Sequence, residues 1–354
     1  MAKALTAVAG DVFAGFFALG VRQAGFDVPF HIEHCNYGLK TCRLNFPKTE
    51  VMVGMENWDT GKILAKMGKV DLMFTNPPCA SWSGAGMSRK EGRCNDLNEK
   101  WKCDPRTTWS RDLANAGRRL KVKAWIWESV TNAWKYGREY VDQQAQDWLA
   151  DGYAVTVLLQ NNCHLGAPQN RKRMLFVAHQ HNLVWPKLMR DTPVVGELLK
   201  QKHLRKDGPK FHQKGYDMVW KAATTGGKWT NFNVTYHKLL TDAQRKQVHP
   251  IPGFVVKMAH PERLAPLVHH LVAHPFEPRF LSLDELMALS GIPLDWKFSG
   301  NYNASALELS RTVLPPVGKW IATAVKQGLG SPRMRPIYRL VDALNGGLRE
   351  EVLG

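Results

Sequence analysis

The sequence predicts an α/β protein built on a parallel sheet, with a second, smaller and loop-rich domain. Over about the first 180 residues, short apolar runs alternate with amphipathic stretches, as expected of strand–helix repeats. Periodicity is weak between about 185 and 278, and helical spacing returns from Leu281. These changes divide the chain into a first domain over 1–184, a second domain over 185–278, a return segment over 279–330 that completes the first domain, and a tail over 331–354.

Each predicted element rests on a local pattern. The strands are apolar, partly β-branched runs that end where polar residues cluster. A glycine-containing turn follows the first strand and leads into a helix through about Gln23. The predicted strands are Ala4–Phe13, Val28–Glu33, Asp71–Thr75, Lys123–Trp127, Ala154–Leu159 and Arg173–Ala178, and the late helices begin near Leu281 and at Pro316, the second ending at about Gln327.

The charge balance favours a polyanionic partner. Among 354 residues, 48 Lys and Arg against 31 Asp and Glu leave a formal net charge of +17. Such a surplus suits a nucleic acid, because contacts to phosphates release counterions. A generally basic surface that only aids solubility is the alternative.

Composition also bears on compartment and metal content. No apolar run approaches the roughly 20 residues that a membrane span needs, and the first residues run directly into a strand-like segment, so we expect neither a membrane segment nor a signal peptide. The cysteines lack paired CxxC spacing, which predicts reduced thiols in a cytoplasm and no metal site. They are Cys35, Cys42, Cys79, Cys94, Cys103 and Cys163.

A glycine-containing turn after the first strand is a candidate ligand site. Asp11-Val-Phe-Ala-Gly15 and Gly20 lie where a strand passes into a helix, so backbone and helix N–H groups can approach a ligand. Glu33 ends the next strand, where a nucleotide-binding sheet places a carboxylate for ribose hydroxyls. We therefore predict an adenosine-containing ligand, with a plain tight turn as the alternative. Asp59 could bond the adenine or simply cap a helix.

A second group of residues suits covalent chemistry. Asn76-Pro-Pro-Cys79 follows a strand, and its prolines stiffen a loop that presents a cysteine as a nucleophile. Glu128 ends an apolar strand, where burial would raise its pKa and allow it to protonate or hydrogen-bond a ring nitrogen; a buried structural carboxylate is the alternative. Arg171 and Arg173 alternate along a predicted strand and so should share one face, or else form a solvated basic edge.

In this order, these segments resemble the DNA cytosine-5 methyltransferase family from about Leu5 to Gln327, excepting the middle domain. The similar segments are the turn Asp11–Gly15, Glu33, Thr41–Pro47, Pro77-Pro78-Cys79, Glu128-Ser129-Val130, Gln169–Arg173, Arg279–Leu286 with Leu289–Pro293, and Ser310–Pro316.

The resemblance implies a Rossmann-like class I methyltransferase sheet and a target-recognition domain over 185–278. It implies that double-stranded DNA is the partner and that a flipped cytosine is attacked at carbon 6 by Cys79. Glu128 would hold the nitrogen 3 and amine edge, Arg173 with Arg171 the carbonyl oxygen, and S-adenosylmethionine would be the donor. A monomer in a bacterial or phage-infected cytoplasm, serving restriction-modification, is expected. The donor-binding residues it implies are Phe13, Ala14, Gly15, Gly20, Glu33, Asp59, Pro77, Arg311 and Val313.

Three positions depart from the family pattern. The glycine turn is compressed and aromatic, Ser129 stands where the family has Asn, and Arg311 stands where the family has the Asn of Gly-Asn-Ser-Val. An arginine beside a sulfonium cation is unfavourable unless an anion lies between them. We therefore hypothesise that Arg311 pairs with the carboxylate of carboxy-S-adenosylmethionine, giving 5-carboxymethylcytosine. Alternatively, Arg311 turns outward to a phosphate or to Glu308.

Two further readings stay open: a tRNA cytosine methyltransferase of the same fold, which tends to have a less basic middle region, and a DNA-binding pseudoenzyme. Retention of Cys79, Glu128 and Arg173 together argues against the pseudoenzyme.

Overall fold

A computed structural model describes residues 4–82, 99–189, 192–210, 233–235, 255–258, 272–277 and 279–353. The chain divides into two compact units. The first comprises Met1–Leu165, Lys172–Arg190 and Thr312–Gly354, and the second comprises Gly166–Arg171 and Asp191–Arg311. The sequence-based division differs in that residues 279–311 group with the second unit, and the supposed tail over 331–354 belongs to the first.

The strands and helices of the described residues are numbered in chain order. The strands are β1 Leu5–Gly10, β2 Phe26–Glu33, β3 Glu50–Val53, β4 Leu72–Thr75, β5 Ala124–Val130, β6 Ala154–Asn161, β7 Lys172–His179, β8 Asn233–Thr235, β9 Val255–Met258, β10 Val272–Ala273, β11 Tyr338–Ala343 and β12 Arg349–Val352. The α-helices are α1 Phe16–Gln23, α2 Leu39–Asn45, α3 Thr60–Met67, α4 Lys100–Cys103, α5 Trp109–Arg119, α6 Thr131–Tyr136, α7 Arg138–Ala150, α8 Val195–Leu199, α9 Leu283–Ser290, α10 Tyr302–Ser310 and α11 Pro315–Gly328.

A sheet of nine described strands forms the centre of the first unit, in the order β12-β11-β6-β7-β5-β4-β1-β2-β3. Strands β1 to β6 and β11 share one direction, whereas β7 and β12 run antiparallel to their neighbours. The prediction of an α/β fold with a Rossmann-like methyltransferase sheet is confirmed. All six predicted strands are present, but the first ends at Gly10, because Asp11 and Phe13 adopt positive φ angles of 52°.

The two strands at the C-terminal end extend this sheet. Strand β11 pairs parallel with β6, Tyr338 opposite Val155, and β12 pairs antiparallel with β11. The sequence-based prediction treated residues 331–354 as a tail. Its pairing depends on a partner strand almost two hundred residues earlier, which no local pattern reveals.

Aromatic residues fill one side of the sheet. Trp125 and Trp127 on β5 and Trp148 on α7 are fully buried, and Trp125 stacks on Trp148 with ring centroids 5.5 Å apart. Large rings contribute much apolar area to a core and hold their neighbours in fixed positions. This packing makes β5 a rigid support for Glu128, which lies near its carboxyl end.

Within the second unit, α9 starts with a capping box in which Ser282 and Glu285 bond each other's backbone N–H groups. Arg279 donates to both oxygens of the buried Glu285, at 2.6 and 2.8 Å. Burial opposes the Arg279 charge, but hydrogen bonds to Glu285 and Glu277 outweigh it and raise the pKa of Arg279. The helix predicted from Leu281 is confirmed, beginning at Leu283.

The second unit also holds a small sheet, in which β9 pairs antiparallel with β8 and parallel with β10. Most of the domain predicted over 185–278 lies outside the described residues.

Candidate active site

Three loops of the first unit meet at one edge of the sheet. Gly10 at the end of β1 lies opposite Thr75 at the end of β4, and Thr75 lies opposite Trp127 on β5. The turn after β1, the loop after β4 and the end of β5 therefore lie side by side. Strand β7 runs the other way, so its first residues lie at the same edge, with Arg173 opposite Val130. This is the edge where open α/β sheets bind ligands.

The turn after β1 has an uncommon backbone. Asp11 and Phe13 have φ angles of 52°, and Gly15, which precedes α1, has a φ of 90°. Non-glycine residues in this left-handed region are uncommon and cluster at functional sites. Gly38 packs against this turn: a Cβ there would lie 2.6 Å from the Ala14 nitrogen. Sequence reasoning missed Gly38, although a glycine directly before α2 was a visible signal.

Two buried carboxylates surround the same turn. Glu33 accepts hydrogen bonds from the Val12 nitrogen at 3.0 Å and the Phe13 nitrogen at 3.4 Å, and its side chain is fully buried. Burial, and secondarily the nearby Asp11 carboxylate, raises the pKa of Glu33 well above its ordinary value. Asp11 in turn accepts from the His34 nitrogen at 2.8 Å. The acidic residue predicted for ribose binding thus holds the shape of the turn.

The other predicted donor-binding residues occupy varied positions. Gly20 lies within α1, where a Cβ would collide with the Pro315 carbonyl and lie 2.8 Å from the Lys319 nitrogen, so it serves helix packing. Asp59 is exposed and caps α3, accepting from the Lys62 nitrogen at 2.8 Å, which bears out the capping alternative. Four further predicted donor-binding residues are buried, namely Phe13, Ala14, Pro77 and Val313.

The loop after β4 presents the candidate nucleophile. The Asn76 nitrogen donates to the Gly10 carbonyl at 3.1 Å, which fixes the start of the loop beside β1. Pro77 is buried, Pro78 has φ −54° and ψ 126°, and the half-buried Cys79 opens a 3-10 turn over Cys79–Ser81. Cys79 is a free thiol. The prolines thus hold a reduced cysteine at the functional edge of the sheet.

A positive charge lies in the surroundings of Cys79. Arg106 forms a two-pronged ion pair with Asp104, Nε to Oδ1 at 2.9 Å and Nη2 to Oδ2 at 2.7 Å. The hydrogen bond to Asp104 raises the pKa of Arg106, and the charge of Cys79 adds to that shift. Arg106 therefore places a positive charge where it interacts with Cys79.

Glu128 is held from two sides. Its side chain is almost fully buried, and Oε1 lies 3.1 Å from the Arg173 Nε atom. Oε2 accepts a 2.6 Å hydrogen bond from Asn76 Nδ2. The structure thus joins two predicted residues, Glu128 and Arg173, and adds Asn76 from the loop that bears Cys79.

Arg171 has a different environment from Arg173. Strand β7 begins at Lys172, so Arg171 lies directly before it, and the shared strand face of Arg171 and Arg173 stays a prediction. Arg171 is buried and Nη1 donates to the Ser310 carbonyl at 2.9 Å, within the second unit. Arg311 is exposed at the end of α10, its backbone N–H bonded to the Glu308 carbonyl.

None of the helices in the described residues is long and apolar enough to cross a membrane. Over the same part of the chain, no group of His, Cys, Asp and Glu side chains is arranged to hold a metal ion.

The sheet order, the cysteine on a proline-stiffened loop and the glutamate–arginine pair on β5 and β7 are those of a methyltransferase-type α/β protein. Residues 9–327 match the family described as C-5 cytosine-specific DNA methylase, and the chain belongs to that family. It is therefore a transferase of the DNA methyltransferase class.

The relatives agree with this assignment. The chain is 23% identical over 345 residues to the type II methyltransferase M.HgiDI of Herpetosiphon aurantiacus, covering 93% of this chain and 97% of that protein. It is 25% identical over 263 residues to the type II methyltransferase M.DdeI of Desulfomicrobium norvegicum, covering 72% of this chain and 58% of that protein.

Solved structures share the fold. A protein described as a DNA modification methyltransferase encoded within a prophage (E. coli) has a TM-score of 0.67 and 17% identity, covering 92% of this chain and 100% of that chain. A variant of Spodoptera frugiperda DNMT2 has a TM-score of 0.59 and 12% identity, covering 91% of this chain and 99% of that chain. At these identities the likeness concerns the fold alone.

Proposed function

We propose that this chain methylates carbon 5 of cytosine in double-stranded DNA, with Cys79 as the nucleophile. Glu128 is bonded to Arg173 and to Asn76. Asn76 lies on the same loop as Cys79, three residues before it, and this placement of Glu128 is the observation that carries the proposal. One short region of the first unit therefore supplies a nucleophile, a carboxyl group and a guanidinium.

The reaction requires electron density at carbon 5 of a poorly nucleophilic ring. The Cys79 thiolate adds to carbon 6 and forms a carbon–sulfur bond. Glu128 hydrogen-bonds the nitrogen 3 and amine edge, while Arg173 holds the carbonyl oxygen. Carbon 5 would then take the methyl group, with the bond to the donor sulfur breaking and the donor leaving as a neutral thioether. Loss of the carbon 5 proton to solvent and departure of the Cys79 sulfur restore the aromatic ring.

The donor turn fits S-adenosylmethionine, which would supply a methyl group on a sulfonium centre. Asp11, Phe13 and Gly15 have left-handed backbone directly before α1, and the first N–H groups of a helix lack helical partners and can bond a ligand. The buried carboxyl groups of Asp11 and Glu33 suit a ligand that carries positive charge. Phe13, Ala14 and Gly15 would form the cradle, while Glu33 holds its shape.

The target base must leave the duplex, since neither carbon 5 nor carbon 6 can be attacked inside the stack. We propose that the basic region over 185–278 reads the sequence around the flipped base. Its recognition residues lie largely outside the described part of the chain.

Mass spectrometry of nucleosides would test the proposal. Duplex DNA and, in parallel, tRNA would be incubated with the protein and S-adenosylmethionine. We expect 5-methylcytosine in DNA only, no product with Cys79→Ala, and DNA binding retained in that variant. Product in tRNA alone would replace the proposed substrate. If neither DNA nor tRNA gave product, a DNA-binding pseudoenzyme would be favoured.

A second candidate donor follows from Arg311. This exposed arginine stands where the family pattern has Asn, and its charge would suit the carboxylate of carboxy-S-adenosylmethionine. The product would be 5-carboxymethylcytosine. The same assay with both donors, on the wild type and Arg311→Asn, decides between them. Relative use of the two donors that is unchanged by Arg311→Asn would eliminate this candidate.

A further inference from the structure

The Glu128 carboxylate is bonded by a side chain that no family motif in the sequence assigns. Asn76 Nδ2 donates to Oε2 at 2.6 Å, and both side chains are buried, with 6% exposure for Asn76 and 3% for Glu128. A buried hydrogen bond to a charged acceptor is stronger than a neutral one and is not weakened by competing water. We propose that Asn76 is a positioning residue that orients Glu128 and links it to the nucleophile loop. The inference rests on the function proposed above.

Asn76 and Arg173 act on different oxygens of the same carboxylate. Arg173 Nε lies 3.1 Å from Oε1, and Asn76 bonds Oε2. Two donors on opposite oxygens define the plane of the group, and therefore the direction in which it can meet the edge of a base.

Asn76 also sets where Cys79 lies relative to that carboxylate. Its backbone nitrogen bonds the Gly10 carbonyl at 3.1 Å, so the residue is fixed through both backbone and side chain. Only Pro77 and Pro78 separate it from Cys79, and the proline rings restrict φ at both positions. The hydrogen bond to Glu128 therefore joins the two reacting groups through a short, stiff connection.

Ser129 makes this role of Asn76 more consequential. The Ser129 side chain is 1% exposed and its Oγ atom has no hydrogen-bond partner among the described residues. The residue that replaces the amide of the Glu-Asn-Val motif thus gives the loop no side-chain support. The amide from Asn76 reaches Glu128 from the loop itself.

The experiment compares Asn76→Ala and Asn76→Asp with Thr75→Val as a matched control. Thr75 lies one residue earlier, is fully buried and donates to the Ile126 carbonyl at 2.9 Å, so its replacement also removes a buried hydrogen bond. Three quantities would be measured on the full chain: kcat and KM with DNA, the pH profile of kcat/KM, and the Glu128 titration by carboxyl-carbon NMR, assigned by difference from Glu128→Gln.

For Asn76→Ala we expect kcat to fall by roughly 10- to 100-fold with KM for DNA unchanged, because misplacing a reacting group by about 1 Å costs about that much. Loss of a donor to the charged form should raise the pKa of Glu128, and the limb of the pH profile governed by Glu128 should move with it. Asn76→Asp should raise the pKa of Glu128 further, since two carboxyl groups would then lie next to each other.

Thr75→Val should lower stability without moving the Glu128 titration. If Asn76→Ala matched Thr75→Val in kcat and in the Glu128 titration, Asn76 would be merely structural and the inference wrong. If the wild type produced no 5-methylcytosine, the proposed function would fail on its own. The NMR titration would then still decide whether Asn76 holds Glu128.

Discussion

His34 lies face to face on Trp109, with ring centroids 4.3 Å apart and an interplanar angle of 7°. Its Nδ1 atom is 2.8 Å from Asp11 Oδ2, and its backbone nitrogen donates to Asp11 Oδ1. Trp58 packs edge-on against the same ring at 4.6 Å. Because Asp11 has a positive φ and starts the donor turn, His34 anchors the strained turn to the aromatic residues beneath it.

We expect His34→Phe to weaken the donor turn. Phenylalanine keeps the stacking but leaves the buried Asp11 carboxylate without its ring partner, which should cost about 1–3 kcal/mol of the free energy of unfolding. Donor affinity should fall as well. The control is His181→Phe, which removes a 2.7 Å bond to the Ser331 carbonyl. Urea unfolding and calorimetry with S-adenosylmethionine measure both effects; equal donor affinity in the two variants would refute the anchoring role.

Gly38→Ala should lower donor affinity, in addition to the loss of stability that its left-handed backbone conformation causes. Gly38 has a φ of 72°, and a Cβ there would press on the Ala14 nitrogen. Gly68 has a φ of 73° with nothing within 4 Å of the corresponding position. Both alanine variants should lose about 1–2 kcal/mol of stability from the left-handed backbone. Only Gly38→Ala should also lower donor affinity, and a similar loss in Gly68→Ala would contradict this prediction.

Arg106→Gln should slow the reaction, because the substitution removes a positive charge that interacts with Cys79. The single-turnover rate at neutral pH should fall by roughly 10-fold, which corresponds to about 1.4 kcal/mol. Arg111→Gln is the comparison, since that exposed arginine lies over the Tyr140 ring at 5.3 Å. Stopped-flow kinetics measure the rates, and equal rates for the wild type and Arg106→Gln would count against the role of Arg106.

His31 should make the fold sensitive to acid. Burial, and secondarily Arg22, lowers the pKa of His31 from 6.5 to about 3, while its Nδ1 atom lies 3.4 Å from Cys42 Sγ. As pH falls from 6.5 towards 3, His31 binds a proton in the unfolded chain but not in the folded chain. The free energy of unfolding therefore decreases over this range. The slope is about 1.4 kcal/mol per pH unit. His31→Gln should flatten the free energy of unfolding over this range, and an unchanged slope would assign the effect to other groups.

Local patterns in the sequence were sufficient for six strands of the large sheet and for the identity of the chemical groups. Strand β4 and the Asn76–Cys79 loop could be predicted because buried strands and proline-stiffened loops depend on neighbouring residues alone. The cysteine, the glutamate on β5 and the start of the donor turn were found in this way.

Tertiary structure decided which of these groups touch and what the remaining residues do. Asn76 bonds Glu128 across 52 residues of sequence. Gly20 packs against the backbone of Pro315, and Arg171 donates to the Ser310 carbonyl. The sequence by itself determined the local backbone and the reactive groups, because short-range sterics and apolar periodicity act between near neighbours. Only the folded sheet brings distant residues within hydrogen-bonding distance, so the partners of each site residue were decided there.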